Sequence, residues 1–369
     1  MIILKRKFLC SLLLVNSTLT FAGTLGSSQD LTKGFFVTGA PIYGSLSDEG
    51  INKTLYAETI FADGSTNSHQ INLDSRWGFL VGVGYKFGPQ MDHDVTLTYT
   101  NLKNKGFNEI GNTGTNGVIV NRLSQIAQTN PFFNPTDPII PGGQQIRDAT
   151  AAVSSHYDFQ TVELLTHRFF QSTFLNNVHF SRYYGIKASQ FKKGFSADYE
   201  GTMAYVDVEF NPLEAPLDDQ IDYSAKYFGI GPQIGMGATW NLNRYISLVG
   251  DVSAALLGGS YSSKWDEDLN TTGIIPNYPG IVSTTHYSYE QATPTTLWAS
   301  VVVGSNLAIA AQIPFHNGSS FGIKGGINTE QYWSHVNADA IRSSGTQNTL
   351  VIAQRFAVRD VFIKMSYMC

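Results

Sequence analysis

The chain has 369 residues with 24 Lys plus Arg against 29 Asp plus Glu, so only 14% is charged, well under the ~25% of ordinary soluble domains. Its mean hydropathy of -0.09 excludes a bundle of membrane helices, and its 23 Phe, 18 Tyr and 5 Trp exclude disorder. A pI of 5.9 gives no basic footprint for nucleic acid.

The chain opens with an address. Lys5, Arg6 and Lys7 precede a short apolar run from Phe8 to Val15, and Thr20-Phe21-Ala22 ends in a small residue, so residues 1–22 read as a signal peptide and 23–369 as the mature domain. Its removal leaves 21 basic against 29 acidic residues, a net charge of -8. One cysteine, Cys369, then remains, which forbids an intramolecular disulfide.

The mature chain carries period 2 and almost no period 3.6. A first strand is predicted at 35–43. From Trp77 to Phe87, Trp77, Phe79, Val81, Val83, Tyr85 and Phe87 share one face against Gly78, Leu80, Gly82, Gly84 and Lys86. The turn 88–92 leads to Val95, Leu97 and Tyr99 alternating with Asp94, Thr96, Thr98 and Thr100, which predicts a hairpin. Strands follow at 157–168 and 178–190. From Tyr227 to Trp240 the same alternation returns, with a four-residue turn before Ile246 to Leu256. The last predicted strands are 297–309, 321–333 and 356–367. The count is ten, within a range of eight to twelve, because Ala204, Val206, Val208 and Phe210 also alternate.

Connections after even-numbered strands are short and those after odd-numbered ones long. That describes an all-β, transmembrane, antiparallel up-and-down β-barrel with short periplasmic turns and long extracellular loops, exported to the bacterial outer membrane. Within a bilayer every backbone N–H and C=O must be paired, and among sheets only a closed one achieves this. The acid-rich stretch Asp198 to Asp222 and the run Asp266-Glu267-Asp268 are expected in extracellular loops. They read as solvated acidic loops, with calcium or cation bridging to lipopolysaccharide as the sharper alternative. Trp77, Phe87, Tyr99, Trp240, Tyr245, Trp333 and Tyr367, near strand ends, are the expected membrane-interface aromatics.

Four segments resemble a known family: DHDVTLTYTNL (92–102), VELLTHRFF (162–170), RYYGIKAS (182–189) and FGIGPQIGMGATW (228–240). They are similar to the Legionella-type major outer membrane protein, or pore-forming outer membrane protein, family. The resemblance implies an outer-membrane barrel with porin-like activity and, in some members, surface exposure that aids contact with host cells. The chain departs from many outer-membrane barrels by ending Tyr367-Met368-Cys369 rather than on an aromatic residue.

Catalytic chemistry is scarce. The glycines at 229, 231 and 235 miss the spacing of a nucleotide loop, and the eight histidines form no metal-ligand motif, so no catalytic residue, metal or cofactor is expected and the protein reads as a non-enzyme. His156 and Asp158, at i and i+2 near the outer end of a strand, are a weak hydrolase pair.

Strand parity places Lys86, Asp94, Thr96, Glu163, Lys187, Gln233, Asp251, Asn306, Lys324, Asn328, Glu330 and Lys364 on the inner face. Mixed charge there can line a wet pore or pair into a plug. Ten strands lie near the filled end of the barrel series, whereas inward glycines at 78, 82, 84, 229, 231, 235 and 237 argue for space. The expectation is a narrow, loop-constricted, weakly cation-favouring pore for small solutes. A non-conducting structural or adhesive barrel that contacts host cells or lipopolysaccharide is the alternative. Expected partners are outer-membrane lipid, lipopolysaccharide, the barrel-assembly machinery and a host-cell surface.

Overall fold

The computed structural model describes residues 34–48, 54–88, 92–111, 117–124, 144–171, 177–206, 212–243, 245–274, 282–315, 319–334, 341–342, 349–350 and 355–368. The signal-peptide segment 1–22 and Cys369 lie outside the described residues. In chain order the strands are β1 (Gly34–Asp48), β2 (Leu55–Phe61), β3 (Thr66–Gln70), β4 (Arg76–Phe87), β5 (His93–Ile110), β6 (Gly117–Asn121), β7 (Gln144–Gln171) and β8 (Val178–Val206). They continue with β9 (Pro212–Asn241), β10 (Ile246–Ile274), β11 (Val282–Pro314), β12 (Ser320–Ser334), β13 (Ile341–Arg342), β14 (Thr349–Leu350) and β15 (Arg355–Met368).

Ten of these close a ring of antiparallel neighbours in the order β1, β4, β5, β7, β8, β9, β10, β11, β12, β15 and back to β1. All ten are the strands expected from the alternation. Register partners followed round the ring run Gly34, Lys86, Asp94, His167, Tyr183, Gly235, Ser253, Gly304, Glu330, Val358 and arrive at Leu46, twelve residues above the start. With ~3.3 Å per residue and ~4.8 Å between strands, that climb gives a strand tilt of about 40°, which is ordinary for a closed barrel. The strand ends that the short turns join, Phe87 and His93, Gln171 and Val178, Asn241 and Ile246, and Pro314 and Ser320, share one rim with Gly34 and Met368, the two ends of the ring. Gly88 has φ +102° in the first of these turns, where a glycine avoids the strain of the left-handed region.

An apolar band encircles the outer wall. On β9 it comprises Phe228, Ile230, Ile234, Met236 and Trp240, and on β4 Trp77, Phe79, Val81 and Val83, all well exposed. Exposed apolar side chains in this number fit a lipid-facing belt about 25 Å tall.

The long strands β7 to β11 rise well past this belt, and here the expected loops prove to be sheet. Asp198 to Val206 and Pro212 to Asp222, read as an acidic loop, are the upper parts of β8 and β9, paired from Asp198↔Gln220 to Val206↔Pro212. Asp266, Glu267 and Asp268 lie in β10. Val206 ends β8, so the alternation at Ala204 and Val206 prolongs that strand, while Val208 and Phe210 lie outside the described residues. Above the end of β5 the wall is carried on by β6, which pairs with β7 and with β2, and by β3 on β2. The small hairpin β13–β14 stands apart from this sheet.

Candidate functional site: the barrel lumen

All twelve residues expected on the inner face lie there, in layers along the axis. Nearest the short-turn rim, a cavity of about 40 Å³ is lined by Thr38, Lys86, Asp94, Phe169 and Ser366 among others. His167 Nδ1 lies 2.6 Å from Asp94 Oδ1, with both groups buried, and the Lys86 ammonium sits 6.0 Å over the Phe169 ring. His167 belongs to this layer although it was not among the expected residues; its i+4 spacing from Glu163 on β7 was the available signal.

The next layer is a charge network. Lys187 on β8 lies 2.8 Å from Glu163 on β7 and 2.7 Å from Glu330 on β12. Because β8 and β12 are four strands apart in a ring of ten, this ammonium ties nearly opposite walls together. Glu330 also accepts a hydrogen bond from the Tyr332 hydroxyl at 2.9 Å. Lys324 lies 3.9 Å from Asp251, and Asn328 donates to Asp360 at 3.1 Å. A cavity of about 80 Å³ remains among these groups, lined in part by Thr96, Glu163, Asn306, Lys324, Asn328, Glu330 and Lys364. Gln233 is buried beside them.

Aromatic rings close the lumen above the charges. Phe191 on β8 and Phe356 on β15 come from opposite walls, five strands apart, and their centroids are 4.6 Å apart. Tyr332 stacks on Phe356 at 4.2 Å, and Tyr227 on Phe191 at 4.7 Å. The expectation that inward glycines leave space is corrected here. Two of the empty positions are occupied by a ring of the neighbouring strand: a Cβ at Gly84 would lie 2.2 Å from Phe36, and one at Gly235 would lie 2.2 Å from Tyr183; Tyr227 of the same strand lies over Gly229, and at Gly78, Gly82, Gly231 and Gly237 the nearest atoms are backbone carbonyls or hydroxyls of the adjacent strands. Phe36 and Tyr183 are the cross-strand partners of Gly84 and Gly235, so the glycine admits the ring that fills the barrel.

Above the belt the lumen becomes an apolar core containing Phe195, Tyr199, Tyr223, Trp265 and Leu269, together with Tyr56 of β2 and Ile119 of β6. The turn after β6 reaches across it. Asn121 Nδ2 donates to Asp219 at 2.8 Å, and Ser124 Oγ donates to Glu267. Tyr199 donates to the Tyr56 carbonyl at 2.6 Å. Burial first, then the nearby Glu267 and Asp218, push the Asp219 carboxyl well above its ordinary value. Burial likewise raises the Tyr199 phenol.

The expected interface aromatics separate by height. Trp240, Tyr245 and Tyr367 are exposed near the short-turn rim, with Phe87 beside them, whereas Trp77 and Trp333 stand at the upper edge. Tyr99 lies lower in the belt, edge-on to Phe79 at 5.9 Å. His156 and Asp158 face outward on β7 and do not meet the lumen; Asp158 pairs with Lys103 at 3.4 Å. Among the described residues no group of three or more His, Cys, Asp or Glu side chains is arranged to hold a metal ion.

A closed ten-stranded ring with a lipid-facing belt and a polar interior is accompanied by a sequence match over residues 40–369 to the Legionella pneumophila major outer membrane protein precursor family. The chain belongs to that family. It is thus a bacterial outer-membrane β-barrel protein. No curated protein matches its sequence significantly. Among solved structures, outer membrane protease OmpT from Escherichia coli is 12% identical, with 93% of this chain and 100% of that one covered and a TM-score of 0.33. The TodX deltaS2S3 mutant monoaromatic hydrocarbon channel is 9% identical over 95% and 96% at a TM-score of 0.26. The Ralstonia pickettii toluene transporter TbuX is 10% identical over 91% and 89% at 0.20.

Proposed function

We propose that this outer-membrane barrel is a porin-like, non-enzymatic pore, closed at rest, that passes ions and small solutes when its side-chain closures part. The observation that carries this reading is the pair of cavities, about 40 and 80 Å³, in which charged and polar side chains stand among apolar ones, lying in series between Lys86 and Glu330. Each has room for a water molecule. The remaining barriers are side chains, with no backbone segment of the described residues crossing the belt-level lumen. Lys86, Lys187, Lys324 and Lys364 nearly balance Asp94, Glu163, Asp251, Glu330 and Asp360 in that stretch, which supports weak rather than strong cation preference. Planar-bilayer recordings of the refolded chain test the proposal. Brief openings of low conductance are expected, lengthened in the double variant Phe191→Ala/Phe356→Ala. Silence from both proteins would sink it.

The Phe191–Phe356 contact between opposite walls favours a second reading, a non-conducting structural or adhesive barrel that presents its upper sheets at the cell surface. That reading predicts silence from both chains, together with protease-accessible upper strands on intact cells.

A further inference from the structure

The outer wall carries its charge in layers. At the top of the apolar belt a row of side chains runs straight across four strands in register: Lys103 of β5 faces Asp158 of β7, Asp158 faces Lys192 of β8, and Lys192 faces Lys226 of β9. Lys105 lies two residues above Lys103, beside His156. Arg76 joins them at the end of β4, half exposed and next to the exposed Trp77 of the belt. On β9 the change is abrupt, since Lys226 is followed on the same face by exposed Phe228 and Ile230. Higher on the same wall the charge turns acidic: Asp198, Asp218, Asp222 and Asp268 face outward, and burial together with its acidic neighbours raises the Asp198 carboxyl. These cations therefore follow a slanted row within one band at the top of the belt, climbing about 9 Å from Lys103 to Lys226 with the strand tilt, at the level of the outer-leaflet headgroups.

A surface groove of about 630 Å³ lies at this height, lined by Arg76, Lys103, Lys105, Phe107, His156 and Asp158 among others. Its two carboxylates lie against cations already, Asp74 at 3.8 Å from Arg76 and Asp158 at 3.4 Å from Lys103. Lys105, Lys192 and Lys226 leave the groove and the row beside it with net positive charge. Lysines and arginine spaced along a wall suit a ligand with more than one phosphate, and the belt directly below suits its acyl chains.

We propose that this groove and the adjoining lysine row bind the phosphorylated sugar headgroup of an outer-leaflet glycolipid, the lipid A moiety of lipopolysaccharide. Its phosphates meet Arg76, Lys103, Lys105, Lys192 and Lys226, and its chains lie along the belt.

The test uses the full mature chain refolded in phosphatidylcholine vesicles doped with bis-phosphorylated lipid A, with lipid A stripped of both phosphates, or with phosphatidylglycerol. Lipid kept by the folded barrel after transfer to detergent is measured by mass spectrometry. Retention of the bis-phosphorylated form is expected, with a fall of at least about tenfold in Lys103→Gln/Lys105→Gln/Lys192→Gln/Lys226→Gln, because each cation near the headgroups contributes about fivefold. The acidic-wall variant Asp198→Asn/Asp222→Asn should retain lipid A as the parent does. A heat-modifiable gel shift shows whether the quadruple variant is folded, and if it is not, Lys105→Gln and the phosphate-free lipid carry the comparison. Equal retention of phosphate-free lipid A, equal retention of phosphatidylglycerol, or no loss in the folded lysine variant would each overturn the proposal.

Discussion

The lower and upper halves of this barrel are built from the same strands with opposite chemistry. Within the belt, β9 turns Ile234 and Ile230 outward and Gln233 inward. Above Phe228 it turns Tyr227, Tyr223 and Ile221 inward and Lys226, Asp222 and Asp218 outward. On β10, Asp251 and Ser253 face in and Leu256 faces out below, while Trp265 and Leu269 face in and Lys264 and Asp268 face out above. On these two strands the pleat does not slip; the solvent changes. Lipid outside demands apolar outer faces and leaves charge to be neutralised inside, whereas water outside permits an ordinary apolar core. The lower half holds its walls together by ion pairs and the upper half by packed rings.

Substitutions can break that contrast, and the largest effect is expected at Trp265, fully buried between Phe195 and Tyr223. Trp265→Ala should cost the upper half about 3–5 kcal/mol. Limited proteolysis would then cut the upper strands while the heat-modifiable shift of the belt persists; loss of both together would mean that the halves are one cooperative unit. Lys187→Ala addresses the lower half. It strands the buried Glu163 and Glu330 carboxylates and should cost about 3–5 kcal/mol in urea unfolding from vesicles. Replacing all three by Met and Gln should recover most of that loss.

A smaller effect separates the outer walls. Ile234→Lys, in the belt, should cost about 2–4 kcal/mol, whereas Ser224→Lys, ten residues away on the same face but above the belt, should stay within about 0.5 kcal/mol. Equal costs would place the lipid boundary wrongly. The smallest expected effect concerns pH. Since the folded chain holds a proton on Asp219 more tightly than the unfolded chain does, the upper half should be most stable below the ordinary carboxylate range and weaken as pH rises toward the folded value. Proteolysis of the upper strands should thus be faster at about pH 8 than at about pH 5, and Asp219→Asn, which keeps an acceptor for Asn121, should flatten the difference by about 1 kcal/mol.

Much of the lower half was legible in the residues. Alternation of aromatic and aliphatic residues with glycine, threonine and charge located all ten belt strands, and parity alone put Lys187 and Glu330 on the inner face. The upper half was not read as sheet, because a strand with a mostly apolar inner face and acidic outer face, such as Leu217 to Tyr223, has the composition of a loop once it is flanked by Asp, Asn and Pro. The signal was present in Ile221, Tyr223 and Tyr227 alternating with Asp222, Ser224 and Lys226, a period-2 pattern that outlasts the belt. Inward glycines such as Gly84 and Gly235 misled for a different reason: a missing side chain looks like empty volume until the ring on the neighbouring strand is placed over it.

By itself, the sequence determined the period, the parity and where the belt strands lie, since each follows from local alternation of the residues that meet lipid and those that do not. Only the tertiary structure decided what fills the lumen. Whether Lys187 reaches Glu330, whether Phe191 meets Phe356, and whether lysines from β5, β8 and β9 stand in one row depend on a twelve-residue climb round the ring, a property of closure that no single strand encodes.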